Sequence, residues 1–302
     1  MRASEPLPPA HPSRWLYFLI LLMVLFWSMN FIIGKAALRE FPALLLAGLR
    51  ISLAGLLLLP AFAWDHRNET GLREWRWRDL LNLTGLGVIG VTLNQLFFVV
   101  GLSLTSVAHA SILMGLTPMV VLLVGALTGA ERITGRKLAG LAIALTGVAV
   151  LNRSRPAGAN PALLGDLFIF LSSLAFAIFT VAGKRVTRRY RTITVNTFAY
   201  VAGAVVLLPV TLWQSGEFAF SGASWAGWAG LFYMAAFPSV ICYLIFYYAL
   251  TQIPASKVAA FGYLQPLLAT LLAVPLLGES ITAGTVVGGS LVFSGICLAE
   301  RA

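Results

Sequence analysis

The sequence predicts an all-α integral membrane protein: ten transmembrane helices built as two inverted five-helix repeats. Three observations predict it. First, 59% of the 302 residues are apolar and 11% are charged. The apolar residues come in runs of about 18 or more, the length that crosses a bilayer as a helix. Second, the stretch from Leu116 to Leu151 returns 148 residues later, from Leu264 to Ala299. Pro118 falls on Pro266, Glu131 on Glu279, Ile133 on Ile281, Thr134 on Thr282, Gly140 on Gly288 and Gly147 on Gly295, without a gap. Only eight of 36 positions are identical, so the weight lies in a proline, a Glu-x-Ile-Thr loop and two glycines keeping one offset. That is the mark of a duplicated unit. Third, Arg132, Arg136 and Lys137 of the first copy become Ser280, Gly284 and Thr285 in the second. Loops rich in Lys and Arg stay cytoplasmic, so the two loops are expected on opposite faces of the membrane.

Residues 1–14 (MRASEPLPPAHPSR) are Pro-rich and polar and are expected to form a mobile cytoplasmic N-terminus. The apolar run that follows lacks a small-residue cleavage site, so it reads as a retained span rather than a signal peptide. Ten spans are expected, at 15–38, 42–63, 80–102, 106–128, 137–151, 165–184, 192–212, 225–250, 256–277 and 283–300. Residues 15–151 hold the first repeat and 165–302 the second. The Pro- and Gly-containing segment 152–164 (NRSRPAGANPALL) joins them outside the cytoplasm. Five is odd, so the second repeat enters the membrane upside down. Gly34-Lys35 at the end of span 1 also matches Gly183-Lys184 at the end of span 6.

With the N-terminus inside, sixteen Lys and Arg fall on cytoplasmic segments: 2, 14, 67, 73, 76, 78, 132, 136, 137, 184, 185, 188, 189, 191, 257 and 301. Four, at 35, 39, 153 and 155, fall outside, and Arg50 lies within a span. The imbalance predicts that both termini are cytoplasmic. It also explains the formal net charge of +10 as topology, with no nucleic-acid partner implied. Trp15, Tyr17, Trp64, Trp75, Trp77, Trp213, Trp225 and Trp228 sit at span ends as interfacial aromatics do. Cys242 and Cys297 lie inside apolar runs with no CxxC and no nearby His, and read as small core residues. No Cys/His cluster suits a metal, and no HExxH, GxSxG or P-loop is present. An enzyme is therefore not expected, nor a cofactor or a metal.

The pattern FWSMNFIIGKAAL in span 1, Arg50 within LAGLRISLAG in span 2, and the duplicated Pro…Glu-x-Ile-Thr…Gly…Gly resemble the drug/metabolite transporter superfamily, EamA type. The resemblance covers both halves. It implies a ten-helix transporter with a central cavity in the plasma membrane (the bacterial inner membrane), whose members often export amino acids or other metabolites. The size and the Phe- and Tyr-rich interior are similar to the YddG-type aromatic amino acid exporters. The expected partners are a small-molecule substrate and the lipid bilayer, with a monomer as the simplest assembly. Uptake or exchange of another solute, such as a sugar derivative or a drug, is the alternative reading.

Inverted-repeat transporters hold substrate near the midplane, beside interrupted helices. Pro118 and Pro266 fall about midway along their spans, where a proline frees a carbonyl and kinks the helix. They are candidates for a fixed bend or a gating pivot. Asn94, Gln95 and Phe98 share one face of span 3, where two amides are costly unless hydrogen-bonded. They either tie helices together or bind substrate. Span 8 aligns Ser239, Tyr243, Phe246, Tyr247 and Leu250; span 1 adds Trp27 and Asn30, and span 9 adds Tyr263 and Gln265. Aromatic walls with a few polar groups suit an amphipathic solute. Arg50 is an intramembrane charge, either functional or satisfying carbonyls at a helix end or break. No Asp or Glu lies at its depth. Small residues on spans 5 and 10 (Gly140, Ala144, Gly147, Gly288, Gly295) predict close helix packing as scaffold.

Overall fold

The structure, a computed structural model, describes residues 14–67, 77–128, 134–153, 160–186, 190–253, 258, 261–262, 264–278 and 281–300. Every regular element among them is helical. The N-terminal segment 1–13, the loop residues Glu131 and Glu279 and the site candidate Tyr263 lie outside the described residues.

Helix α1 (Arg14–Ala37) begins where the polar N-terminal stretch gives way to apolar residues, and a short turn leads to Pro42. Pro42, with φ −56° and ψ 141°, starts α2 (Ala43–His66). Glu40 in that turn accepts hydrogen bonds from Ser224 N and Ser224 Oγ, both at 2.7 Å. The turn is thereby tied to the start of α10 (Trp225–Met234), whose N-cap is Ser224. Further along come α3 (Trp77–Gly87) and α4 (Asn94–Leu104). Next are α5 (Val107–Met114), α6 (Thr117–Leu127) and α7 (Gly135–Arg153). The remainder is α8 (Asn160–Val186), α9 (Thr192–Glu217), α10, α11 (Cys242–Gln252), α12 (Leu264–Leu277) and α13 (Ala283–Glu300). Helices α7 and α8 extend into the segment expected as linker, so the stretch between them is shorter than 152–164.

Seven stretches among the described residues are long and apolar enough to cross a bilayer. They are Arg14–Ala37, Ala43–Asp65, Leu81–Leu104, Val107–Leu127, Leu163–Gly183, Thr192–Glu217 and Trp225–Gln252; Leu264–Leu277 and Ala283–Gly295 are shorter apolar helices. Large apolar side chains stand exposed along them, such as Leu21 and Leu25 on α1, Leu167 and Phe170 on α8, and Val205 and Leu208 on α9. In water such a surface would aggregate; against lipid it costs nothing. The chain is an integral membrane protein. Cys297, expected in the core, is instead exposed on α13, because an apolar residue in a bilayer is as well placed facing lipid as facing protein.

Two spans that the sequence presents as continuous helices contain π-helical segments, Val88–Leu93 and Ala235–Ile241. Shifted by the repeat offset of 148, the first becomes 236–241. In the second, Pro238 has no N–H to donate, and the neighbouring Ser239 Oγ donates to Met234 O at 2.8 Å. In the first, Gly90 lets the Phe179 ring lie directly on the backbone, where a Cβ would collide with it.

Pro118 and Pro266, expected at mid-span bends, stand in the first turns of helices. The first of these spans is two helices, α5 and α6, separated at Gly115–Leu116, and Pro118 is the second residue of α6. There its missing N–H is an orphan of the first turn in any case. The carbonyl it leaves free, Met114 O, accepts from Thr117 Oγ1 at 2.6 Å. Pro266 likewise is the third residue of α12 and is buried. Helix α5 packs on α12, so a Cβ at Gly115 would stand 3.0 Å from Pro266 Cγ.

Helix α7 lies along α13, and α2 along α9; α8 packs on α4 and α6, and α1 on α10, α11 and α12. At the α7–α13 contact a Cβ on Gly147 would be 2.6 Å from Gly288 O and 2.8 Å from Val292 N. Gly295 meets Gly140 O and Ala144 N as closely. Here glycine is required by backbone approach.

Candidate functional site

Arg50, in the second turn of α2, is 3% exposed. Its Nε donates to Ser239 Oγ at 2.9 Å, and its guanidinium carbon stands 6.0 Å from the Phe98 ring centroid. Its NH1 is buried with no hydrogen-bond partner among the described residues. The sequence left open whether Arg50 satisfies backbone carbonyls. It bonds instead the hydroxyl that itself donates to Met234 O. Ser239 Oγ also lies 3.3 Å from Gln95 Oε1, its second acceptor. Gln95 Nε2 donates to Tyr200 OH on α9.

Asn94 points to a different neighbour. Its Nδ2 donates to Ser172 O at 2.9 Å and Ser172 Oγ at 3.0 Å on α8, and its Oδ1 accepts from Tyr243 OH on α11 at 3.1 Å. Both amides sit just after the π-helical segment, and together they link the end of that segment to α8, α9, α11 and Ser239. In this state they serve as ties between helices, one of the two roles their position allowed.

Aromatic rings close around this polar network. Tyr243 meets Tyr200 at 5.8 Å, Phe179 at 6.1 Å and both Trp27 and Phe176 at 6.2 Å between centroids. Phe246 stands 5.9 Å from Trp27 and 5.3 Å from Phe176, and Tyr247 5.5 Å from Phe179. Most are edge-on or tilted, the favourable arrangements. Trp27 Nε1 donates to Pro238 O at 3.2 Å, locking α1 to the second π-helical segment. Tyr247 OH and Asn30 Oδ1 are buried without a hydrogen-bond partner among the described residues.

The structure thus brings Trp27, Arg50, Asn94, Gln95, Phe98, Tyr243, Phe246 and Tyr247 into one buried cluster. Asn30 is buried on α1 one turn beyond Trp27. Gln265 is only partly buried, and its side chain makes no hydrogen bond among the described residues. Four participants escaped the sequence reading: Ser172, Phe176 and Phe179 on α8 and Tyr200 on α9. A polar residue deep in a span was the available signal for Ser172 and Tyr200; the two phenylalanines carried none. The described residues contain no group of three or more His, Cys, Asp or Glu able to hold a metal. Beyond the cluster, Lys35 Nζ donates to Leu102 O at 2.8 Å and Thr105 O at 2.7 Å. Thr105 Oγ1 donates to Asp166 Oδ1 at 2.9 Å, so α1, α4 and α8 are joined at one end.

The sequence profile of the EamA-like transporter family matches residues 14–153 and again 163–300. An uncharacterized transporter of Archaeoglobus fulgidus is 30% identical over 96% of this chain and 99% of its own length. A protein of Streptantibioticus cattleyicolor named as a probable terminal-alkyne amino-acid exporter is 28% identical over 93% of this chain and 92% of its own. The uncharacterized inner membrane transporter YedA of Escherichia coli is 27% identical over 88% and 84%. A crystal structure 20% identical in sequence superposes with a TM-score of 0.67, covering 95% of this chain and 98% of that one; it shows a shared fold.

Proposed function

The chain belongs to the EamA-like transporter family, and on that premise we propose that it is a secondary exporter of amino acids, aromatic or hydrophobic ones above all. Transport runs by alternating access through a central cavity between two inverted five-helix repeats, with both termini in the cytoplasm. The observation that carries this reading is the buried cluster of Arg50, Asn94, Gln95 and Tyr200 walled by Trp27, Phe176, Tyr243 and Phe246. Polar groups for the head of an amino acid lie beside rings for its side chain. The amino-acid exporter among the relatives supports the substrate class. Two π-helical segments at one repeat offset, and the helix break before Pro118, support a moving core, since interrupted helices accompany substrate sites in such repeats.

Purified protein in liposomes loaded with unlabelled phenylalanine should accumulate external labelled phenylalanine by counterflow. Empty liposomes should not. Counterflow of a sugar or a cationic drug, with none for any amino acid, would refute the substrate class.

A further inference from the structure

We propose that Arg50 is the carboxylate-binding residue of this site, so that the protein recognises its substrate as a carboxylate with an aromatic or apolar body and does not require an amino group. The inference rests on the proposed transport function and names the chemistry of its substrate.

Arg50 is a permanent cation deep in a membrane span, and no carboxylate pairs with it among the described residues. Ser239 occupies Nε, the Phe98 ring covers the guanidinium at 6.0 Å, and NH1 is left buried with nothing to bond. A lone buried charge with an idle donor is expensive in a bilayer. Among the described residues the one buried acid, Asp166, is held by Thr105 instead. A ligand carboxylate supplies both the missing charge and a planar pair of acceptors for the guanidinium fork. The groups next to Arg50 extend that reception. The Gln95 amide is linked to it through Ser239 and donates to the Tyr200 hydroxyl, and the Tyr200 ring meets that of Tyr243.

Among the described residues the cluster holds no Asp or Glu to receive an ammonium. An amino group on the substrate therefore finds only amides, phenols and ring faces, and removing it forfeits no ion pair. Removing the carboxylate forfeits the single charged contact.

The test uses two analogues of phenylalanine, each missing one charged group: 3-phenylpropionate and 2-phenylethylamine. In the liposome assay, phenylpropionate should compete with phenylalanine at a similar concentration, and phenylethylamine should be weaker by about tenfold or more, the loss of one charge-assisted contact. Equal or better competition by the amine would overturn the proposal. A second arm needs no transport. Phenylpropionate should raise the melting temperature of the detergent-solubilised protein, and should not raise that of Arg50→Gln. Arg50→Lys, which keeps the charge and loses the fork, should bind the acid about tenfold more weakly. Unaltered stabilisation of Arg50→Gln by the acid would likewise overturn it. If amino-acid counterflow fails while the acid still stabilises the wild type through Arg50, the carboxylate site stands and the exporter reading falls.

Discussion

Gln95 is the residue on which the polar cluster turns. One end of its amide faces Ser239, the partner of Arg50, and the other holds Tyr200 OH on α9. Replacing it by leucine of similar size removes both contacts and leaves the Tyr200 hydroxyl, 0% exposed, without the N–H it accepts. The expected cost is about 1–2 kcal/mol, the range for a hydrogen bond lost inside a membrane protein plus an orphaned polar group. A lowered melting temperature of Gln95→Leu, largely restored by adding Tyr200→Phe, would show that the pair accounts for it. If Tyr200→Phe instead adds a full second loss, the two residues act independently. Arg50, Asn94 and Gln95 were legible as site candidates because charge and amide groups are conspicuous at mid-span. Phe176 and Phe179 were not, since a phenylalanine in a spanning helix is equally at home against lipid.

Among the elements, the α7–α13 pair shows most directly how glycine positions govern packing. Backbone atoms of the two helices approach so closely at Gly147 and Gly295 that any side chain there must displace a whole helix. Gly147→Leu should therefore reduce folded protein severalfold and cost at least the 1–3 kcal/mol typical of overpacking. Phenylalanine competition by the surviving fraction should be unchanged, because no residue of α7 or α13 belongs to the Arg50 cluster. A variant made in normal amounts but with altered substrate preference would contradict the scaffold role. The π-helical segments behave differently. Neither is announced by a proline alone, for Pro60 sits within α2 and Pro209 within α9 without a π turn. What distinguishes Pro238 is its neighbour Ser239, whose hydroxyl donates to Met234 O while receiving Arg50.

At the scale of the whole molecule, the inverted-repeat proposal places the Glu131 and Glu279 loops on opposite sides of the bilayer. Single cysteines introduced as Glu131→Cys and Glu279→Cys, in a chain whose exposed Cys297 is changed to Ser, would test this with a membrane-impermeant maleimide. Glu279→Cys should label in intact cells and Glu131→Cys only after permeabilisation. Labelling of both from one face would eliminate the inverted arrangement. Membrane residence was readable in the chain, because burial in lipid demands long apolar runs. Which residues meet was decided by tertiary structure alone. In water an amphipathic stripe tells which face of a helix turns inward; in a bilayer both faces are apolar, so the period carries no such signal. The union of Arg50 with Ser239, of Asn94 with Ser172 and of Trp27 with Pro238 comes from helices 78 to 211 residues apart in the chain, brought together by packing that the local pattern does not record.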